Sequence, residues 1–224
     1  MPNLVWGKGF LKTLVASALY AIVHSLLASR TAKRTARNLL GGRVRNALYR
    51  PFYLLQSAVT MALLVGYIRR QPAELLFHFS GVSAVPFRLV QAGSLCWASW
   101  AAYEVGLSGI LGVRPLVELA LAKDEILPEP EAQGPSFHLH NRVMQVEGPF
   151  LFTRHPLNLA PLGVMWFNPR MTTNLLAFNL LSTFYLVLGS RLEELRLSRA
   201  YGAAYRDYQA SGVPFFLPGT NRSA

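Results

Sequence analysis

"TRHPLNLAPLG", Thr153 to Gly163, sets an arginine, a histidine and a proline directly before a short apolar run, with an asparagine one turn inside. Pro156 suits the first turn of a helix, where its missing N–H removes nothing the helix would use. The run from Leu157 to Asn168 is too short to cross a hydrocarbon core, which takes roughly 17 to 25 residues of helix. Asn168-Pro169 follows it, and the residue before a proline is pushed away from helical angles. The stretch therefore reads as the first half of a tight helical hairpin whose return arm is the apolar run Thr172 to Gly189.

Outward from the hairpin the chain repeats the same theme at full length. Thr13 to Ala28, Pro51 to Ile68 and Leu89 to Leu107 are each about long enough to span a bilayer, within a chain of 224 residues that is 52% hydrophobic. Apolar residues fall in runs rather than in amphipathic stripes, which excludes an ordinary soluble domain. The expected fold is all-α: a polytopic integral membrane bundle of about five transmembrane helices, with a short helical hairpin and a cytosolic C-terminal helix. Three regions are expected. Residues 1–112 hold the first three spans, 113–155 form a cytosolic loop or cap, and 156–224 form a cofactor-binding hairpin and tail.

Charge fixes the expected orientation. Arg30, Lys33, Arg34, Arg37, Arg43, Arg45 and Arg50 lie between the first two spans, with no acidic residue among them. Such a loop faces the cytoplasm, which puts the N-terminus outside and the inner or cytoplasmic membrane as the location if the source is bacterial. A basic juxtamembrane segment also attracts anionic headgroups. The net charge of +11 therefore implies membrane lipids as partners and no nucleic acid. The single cysteine, Cys96, excludes an intrachain disulfide and a thiolate metal cluster. His138 and His140 lack further ligands at metal spacing, so no metal is expected.

The chemistry-bearing residues gather on the expected cytosolic side. Arg154 and His155 precede Pro156 at the positive end of a helix dipole, beside free backbone N–H groups, an arrangement suited to a carboxylate or phosphate. Beyond the hairpin, Arg191, Glu194, Ser198, Tyr201, Tyr205 and Tyr208 follow the spacing of one helix face. Gly202 threatens that register. Glu193 and Glu194, where a span leaves the bilayer, are costly unless they meet water or a cation. A ligand carrying both a carboxylate and an ammonium answers both ends. Glu104 lies within the third span, where a carboxylate is by default a functional candidate, although a hydrogen bond to a neighbouring helix also accounts for it. His24 closes the first span and either lines a cavity or caps a helix. The segment Val113 to Arg154 is either a linker or a cap over the site, and Pro and Gly exclude a continuous helix through it.

"EGPFLFTRHPLNLAPLG", followed some 30 residues later by "RLEELRLSRAYGAAYRDYQASGVPFFLPG", resembles the isoprenylcysteine carboxyl methyltransferase and phospholipid methyltransferase superfamily. "HSLLASRTAKRTARNLLGGRVRNALYRPFY" is similar to its NnrU-like and methanethiol methyltransferase branches. The resemblance implies an integral-membrane methyltransferase using S-adenosyl-L-methionine, with a small or lipophilic acceptor bearing a carboxylate, thiol or amine. It implies that Arg154, His155, Pro156, Asn158, Glu194, Tyr201, Tyr205 and Tyr208 bind the cofactor. Glu193, Glu194 and Arg191 are the candidates for catalytic roles, with a glutamate as base and Arg191 positioning it. Where many members carry a tyrosine two residues after the proline, this chain has Asn158, which implies a more polar acceptor pocket. Two other readings are a membrane nicotinamide-dependent reductase of the sterol-reductase-like fold and a non-catalytic NnrU-like membrane factor.

Overall fold

A computed structural model describes residues 7–126, 134–138 and 143–217. His140 and the acidic residues Glu129 and Glu131 of the expected cap lie outside the described residues. The chain groups into two compact units, Met1–His78 with Ser108–Glu129 and Arg170–Ser182, and Phe79–Leu107 with Pro130–Pro169 and Thr183–Ala224.

The first unit is built on α1 (Lys8–Ala28), α2 (Arg30–Leu40) and α3 (Gly42–Arg70). At one end, Gly9 is required because a Cβ there would collide with the Pro72 carbonyl. Asn174 donates from its side chain to the carbonyls of Gln71 and Pro72. Here β1 (Leu75–His78) pairs antiparallel with a later strand, β4 (Arg170–Thr172), in the register Phe77 to Met171 and His78 to Arg170. This small sheet, which hydropathy does not predict, joins the loop after α3 to the tip of the hairpin. At the other end Ser29 caps α2 by accepting the Ala32 N–H at 3.2 Å. α3 packs on α6 (Val113–Ala120), which follows the single-turn helix α5 (Leu107–Ile110). Arg50 donates to the Ile110 carbonyl at 2.8 Å, and Asn46 to that of Ile126 at 2.7 Å.

The second unit centres on α4 (Val85–Val105), packed along α7 (Pro156–Trp166). Close approach needs Gly163, where a Cβ would collide with the Ser94 hydroxyl. Gln91 clasps the pair by donating to the Val164 carbonyl at 3.0 Å. A short antiparallel pair, β2 (Ser136–His138) and β3 (Val143–Gln145), lies within the segment that the sequence led us to read as a linker or a cap. The core gathers Met144, Leu197, Tyr205 and Tyr208, with Val146, Tyr201 and Val213 against it.

The short apolar run forms α7, and a long helix follows the Asn168-Pro169 turn. The return arm α8 (Thr173–Tyr201) begins in the first unit and runs into the second. It continues without a break past Arg191, so the expected span and the start of the expected tail are one helix. Gly202, at φ +59°, ends it, and α9 (Ala203–Ala210) follows.

Among the described residues α1, α3 and α8 are long and apolar enough to cross a membrane. The third apolar run is helical as α4 but does not join that set, because Arg88, Gln91, Ser94, Ser99 and Glu104 dilute it. Helicity and length hold there; the hydropathy of a full span does not.

Candidate active site

The turn that presents Arg154 and His155 is set by a glycine. Gly148 has φ +54°, and a Cβ there would stand 2.8 Å from Glu104 Oε1 and 2.9 Å from Trp100 Nε1. Trp100 in turn donates to Glu104 Oε1 at 3.0 Å. Glu104, read from the sequence as a candidate site residue or a helix-to-helix contact, thus bonds one turn along its own helix and walls the Gly148–Leu151 turn. From there the chain runs through Thr153, whose hydroxyl donates to the Phe215 carbonyl at 3.1 Å.

Arg154 Nε contacts Glu194 Oε1 at 2.7 Å, and Arg154 Nη1 donates to the Val213 carbonyl. Its backbone N–H donates to the Pro214 carbonyl at 2.9 Å. The His155 ring, side chain 1% exposed, lies with Nδ1 3.5 Å from Glu193 Oε2 and Nε2 3.4 Å from Glu194 Oε1. Both separations are longer than a good hydrogen bond, and Nε2 is buried without a hydrogen-bond partner among the described residues. Phe215 meets the ring edge-on at 4.9 Å, and Phe216 stacks at 6.0 Å.

Pro156 opens α7 as expected, and His155 serves as its N-cap residue. One turn on, Asn158 donates to Ser190 Oγ at 2.9 Å and to Glu193 Oε2 at 3.3 Å. Asn158 therefore joins α7 to the glutamate pair. Arg191 lies 3.8 Å from Glu194 Oε2, mostly exposed, with its guanidinium 3.9 Å above the Phe215 ring. Arg154 is thus engaged by a carboxylate inside the protein, whereas Arg191 faces outward over an aromatic ring.

The three tyrosines divide. Tyr208 donates to the Phe150 carbonyl at 2.6 Å and so holds the turn before the site. Tyr205 is fully buried, and its hydroxyl has no hydrogen-bond partner among the described residues. Tyr201 is half-buried beside the same core. Burial pushes the phenols of Tyr205 and Tyr208 well above the usual tyrosine value; Glu194 pushes in the same direction while Arg154 opposes it. Both therefore remain protonated donors at neutral pH.

Sequence reading missed the strap Val213–Phe216. The segment supplies two backbone acceptors and two rings to Arg154 and His155. The paired phenylalanines after a proline were the available signal. Beside the strap, a cavity of about 600 Å³ opens between α4 and α7, walled by Trp97, Phe152, Leu159, Trp166, Phe167 and Leu217 among others. Among the described residues no group of three or more His, Cys, Asp or Glu is placed to hold a metal ion.

No family profile matches the chain, and no solved structure matches it. Curated proteins do. The chain is 29% identical over 226 residues to methanethiol S-methyltransferase of Pseudomonas deceptionensis, covering 99% of this chain and 78% of that protein. It is 30% identical over 216 residues to methanethiol S-methyltransferase 2 of Bradyrhizobium diazoefficiens, covering 95% and 74%. Against the Mycobacterium tuberculosis methanethiol S-methyltransferase it is 27% identical over 221 residues, covering 96% and 81%. Since these alignments cover nearly the whole chain, one of them at 30% identity, the chain belongs to the methanethiol S-methyltransferase family and is a methyltransferase.

Proposed function

We propose that this is an integral-membrane enzyme that transfers a methyl group from S-adenosylmethionine to a thiol. The relatives' printed names support the thiol. The observation that carries the site is the set of buried His155 and Glu194 with partly buried Arg154 and Glu193, closed by Phe215 and Phe216. Ion pairs are retained at such depth only where they are satisfied or used.

The residues present fit the cofactor. Its ammonium and ribose hydroxyls require acceptors, which Glu193 and Glu194 provide, and its carboxylate requires donors. His155 Nε2 and the Tyr205 hydroxyl are buried polar atoms without hydrogen-bond partners, a condition that native interiors tolerate rarely. Arg154, His155, Pro156, Asn158, Glu194, Tyr201, Tyr205 and Tyr208 form the binding set in this reading. Arg154 holds Glu194 in place, and Arg191 offers the outward-facing guanidinium. When bound, the cofactor supplies an electrophilic methyl group on a sulfonium.

The chain's own work is positioning and proton handling. Holding two reactants in line is worth several kcal/mol, and the phenylalanine strap excludes water from the polar set. A thiol is mostly protonated at neutral pH, and its thiolate is the nucleophile. Glu193, steered by Asn158 and facing His155, is the proposed base, with Glu194 and Arg191 completing the catalytic set. In the membrane we place α1, α3 and α8 as spans, with α4 and the half-length α7 as the remaining two of about five membrane helices. The basic α2 faces the cytoplasm, the N-terminus lies outside, and the site opens to the cytoplasm. The β1–β4 pairing supports this, because it joins two segments both assigned to the outer side.

The test is labelled S-adenosylmethionine binding by the purified, folded protein, followed by turnover with a panel of thiols. His155→Ala and Glu194→Gln are each expected to lower cofactor affinity at least tenfold. A folded sample that binds no cofactor overturns the proposal.

A further inference from the structure

A two-atom acceptor leaves most of the α4–α7 cavity unexplained. At about 30 Å³ per heavy atom, the share of one water in the liquid, methanethiol is roughly a tenth of the cavity's volume of about 600 Å³. That volume falls in the range of roughly 300–1,000 Å³ typical of sites for much larger ligands. Its walls are aromatic and aliphatic, with side-chain hydroxyls only at Ser94 and Thr153. Both are already engaged as donors: Ser94 to the Val90 carbonyl at 2.8 Å, Thr153 to the Phe215 carbonyl at 3.1 Å. Neither has a proton left to orient a polar body.

The cavity also shares its backbone with the polar set. Thr153 directly precedes Arg154 and His155, Leu159 follows Asn158, and Leu217 follows Phe215 and Phe216. Thr153 lines the cavity while its hydroxyl accepts the His155 N–H at 3.3 Å, so an apolar body lying between α4 and α7 rests against the turn that carries the polar set. All of these residues belong to the second unit.

We infer that the preferred acceptor is an apolar thiol of medium length, whose hydrocarbon body fills the α4–α7 cavity. The inference rests on the thiol reading proposed above. In the step, the thiol's proton leaves to a carboxylate or water, and the sulfur forms a new bond to the methyl carbon. The bond from that carbon to the donor's sulfonium sulfur breaks, giving a methyl thioether and the donor as a neutral sulfide. A buried methylene is worth about 0.8 kcal/mol, equivalent to three- to fourfold in kcat/KM per carbon.

The experiment measures kcat/KM for methanethiol, butanethiol, hexanethiol and octanethiol, each referred to free aqueous thiol. Binding of hexanethiol without methyl donor is read from the fluorescence of Trp97 and Trp166, which line the cavity. Gly93 also lines it, and a Cβ there meets nothing within 4 Å. The Cβ introduced by Gly93→Leu therefore meets no collision, the leucine is chosen to narrow the cavity, and the variant's fold is checked by its cofactor binding. The expected results are a rise of at least tenfold from methanethiol to hexanethiol, a saturable fluorescence change, and a drop of at least fivefold in the hexanethiol-to-methanethiol ratio in Gly93→Leu. Methanethiol turnover with a flat or falling length series overturns this inference alone, and is the outcome if a lipid chain fills the cavity. No turnover of any thiol overturns it together with the proposed reaction.

Discussion

His24 and His155 each stand near the end of an apolar stretch, and the protein surrounds them differently. His24, in the first unit, has Nε2 2.6 Å from the Tyr53 hydroxyl and Nδ1 2.9 Å from Ser57 Oγ, with Tyr20 stacked at 5.5 Å. His155, in the second, stands between two carboxylates and under two phenylalanines. A hydroxyl donates or accepts as required, so it satisfies a neutral imidazole in either tautomer; an ionised carboxylate only accepts. The first arrangement is self-sufficient. The second calls for protons or cations that a ligand can bring, and that difference separates a packing histidine from a site histidine.

The largest effect expected from this contrast is on stability. Glu194→Gln removes the countercharge of Arg154, whose side chain is 13% exposed. Breaking such a pair costs about 3–5 kcal/mol. His24→Phe gives up two hydrogen bonds to hydroxyls, about 1–2 kcal/mol together, and leaves turnover within about threefold. Melting in detergent and initial rates compare the two. Equal losses of activity would break the distinction.

Gly148→Ala tests whether the charged end depends on the turn before it. A non-glycine residue in the left-handed region costs about 1–3 kcal/mol, and here the new methyl also meets Glu104 Oε1 at 2.8 Å. Cofactor affinity is expected to fall with stability. Adding Glu104→Ala should recover part of both by removing the contact with Glu104, while the contact with Trp100 Nε1 at 2.9 Å and the backbone strain remain.

The smallest effect sharpens the contrast within the second unit. Tyr208→Phe loses the bond to Phe150 and about 1 kcal/mol, whereas Tyr205→Phe loses no hydrogen bond and should melt unchanged while binding cofactor more weakly. Both phenols have raised pKa values in the folded protein. Their contribution to stability is therefore full below the unfolded value of about 10 and is lost as pH rises above it. Alkaline melts should show this loss, smaller in Tyr205→Phe.

Much of this was legible in the chain. Pro156 announced the start of α7, Asn168-Pro169 the turn, and Gly202 the break between α8 and α9, because each acts through its own backbone angles. The glutamate pair stood out because carboxylates at the end of an apolar run need a reason. The small sheets did not stand out, since β1 and β4 are short and their pairing joins residues about a hundred positions apart. Glu104 was noticed for its charge, but its part in walling the Gly148 turn follows from packing that spacing does not report.

Hydropathy and charge are sums over chain neighbours, so the sequence by itself determined the helical character, the hairpin, and the places where cations and carboxylates leave the apolar runs. Which of them meet was decided only in three dimensions. Arg154 finds Glu194 forty positions away and the Val213 carbonyl fifty-nine away. An ion pair needs its atoms within about 4 Å, and no local pattern encodes the closure of such loops. The strap that covers His155, and the cavity between α4 and α7, exist only once that closure is made.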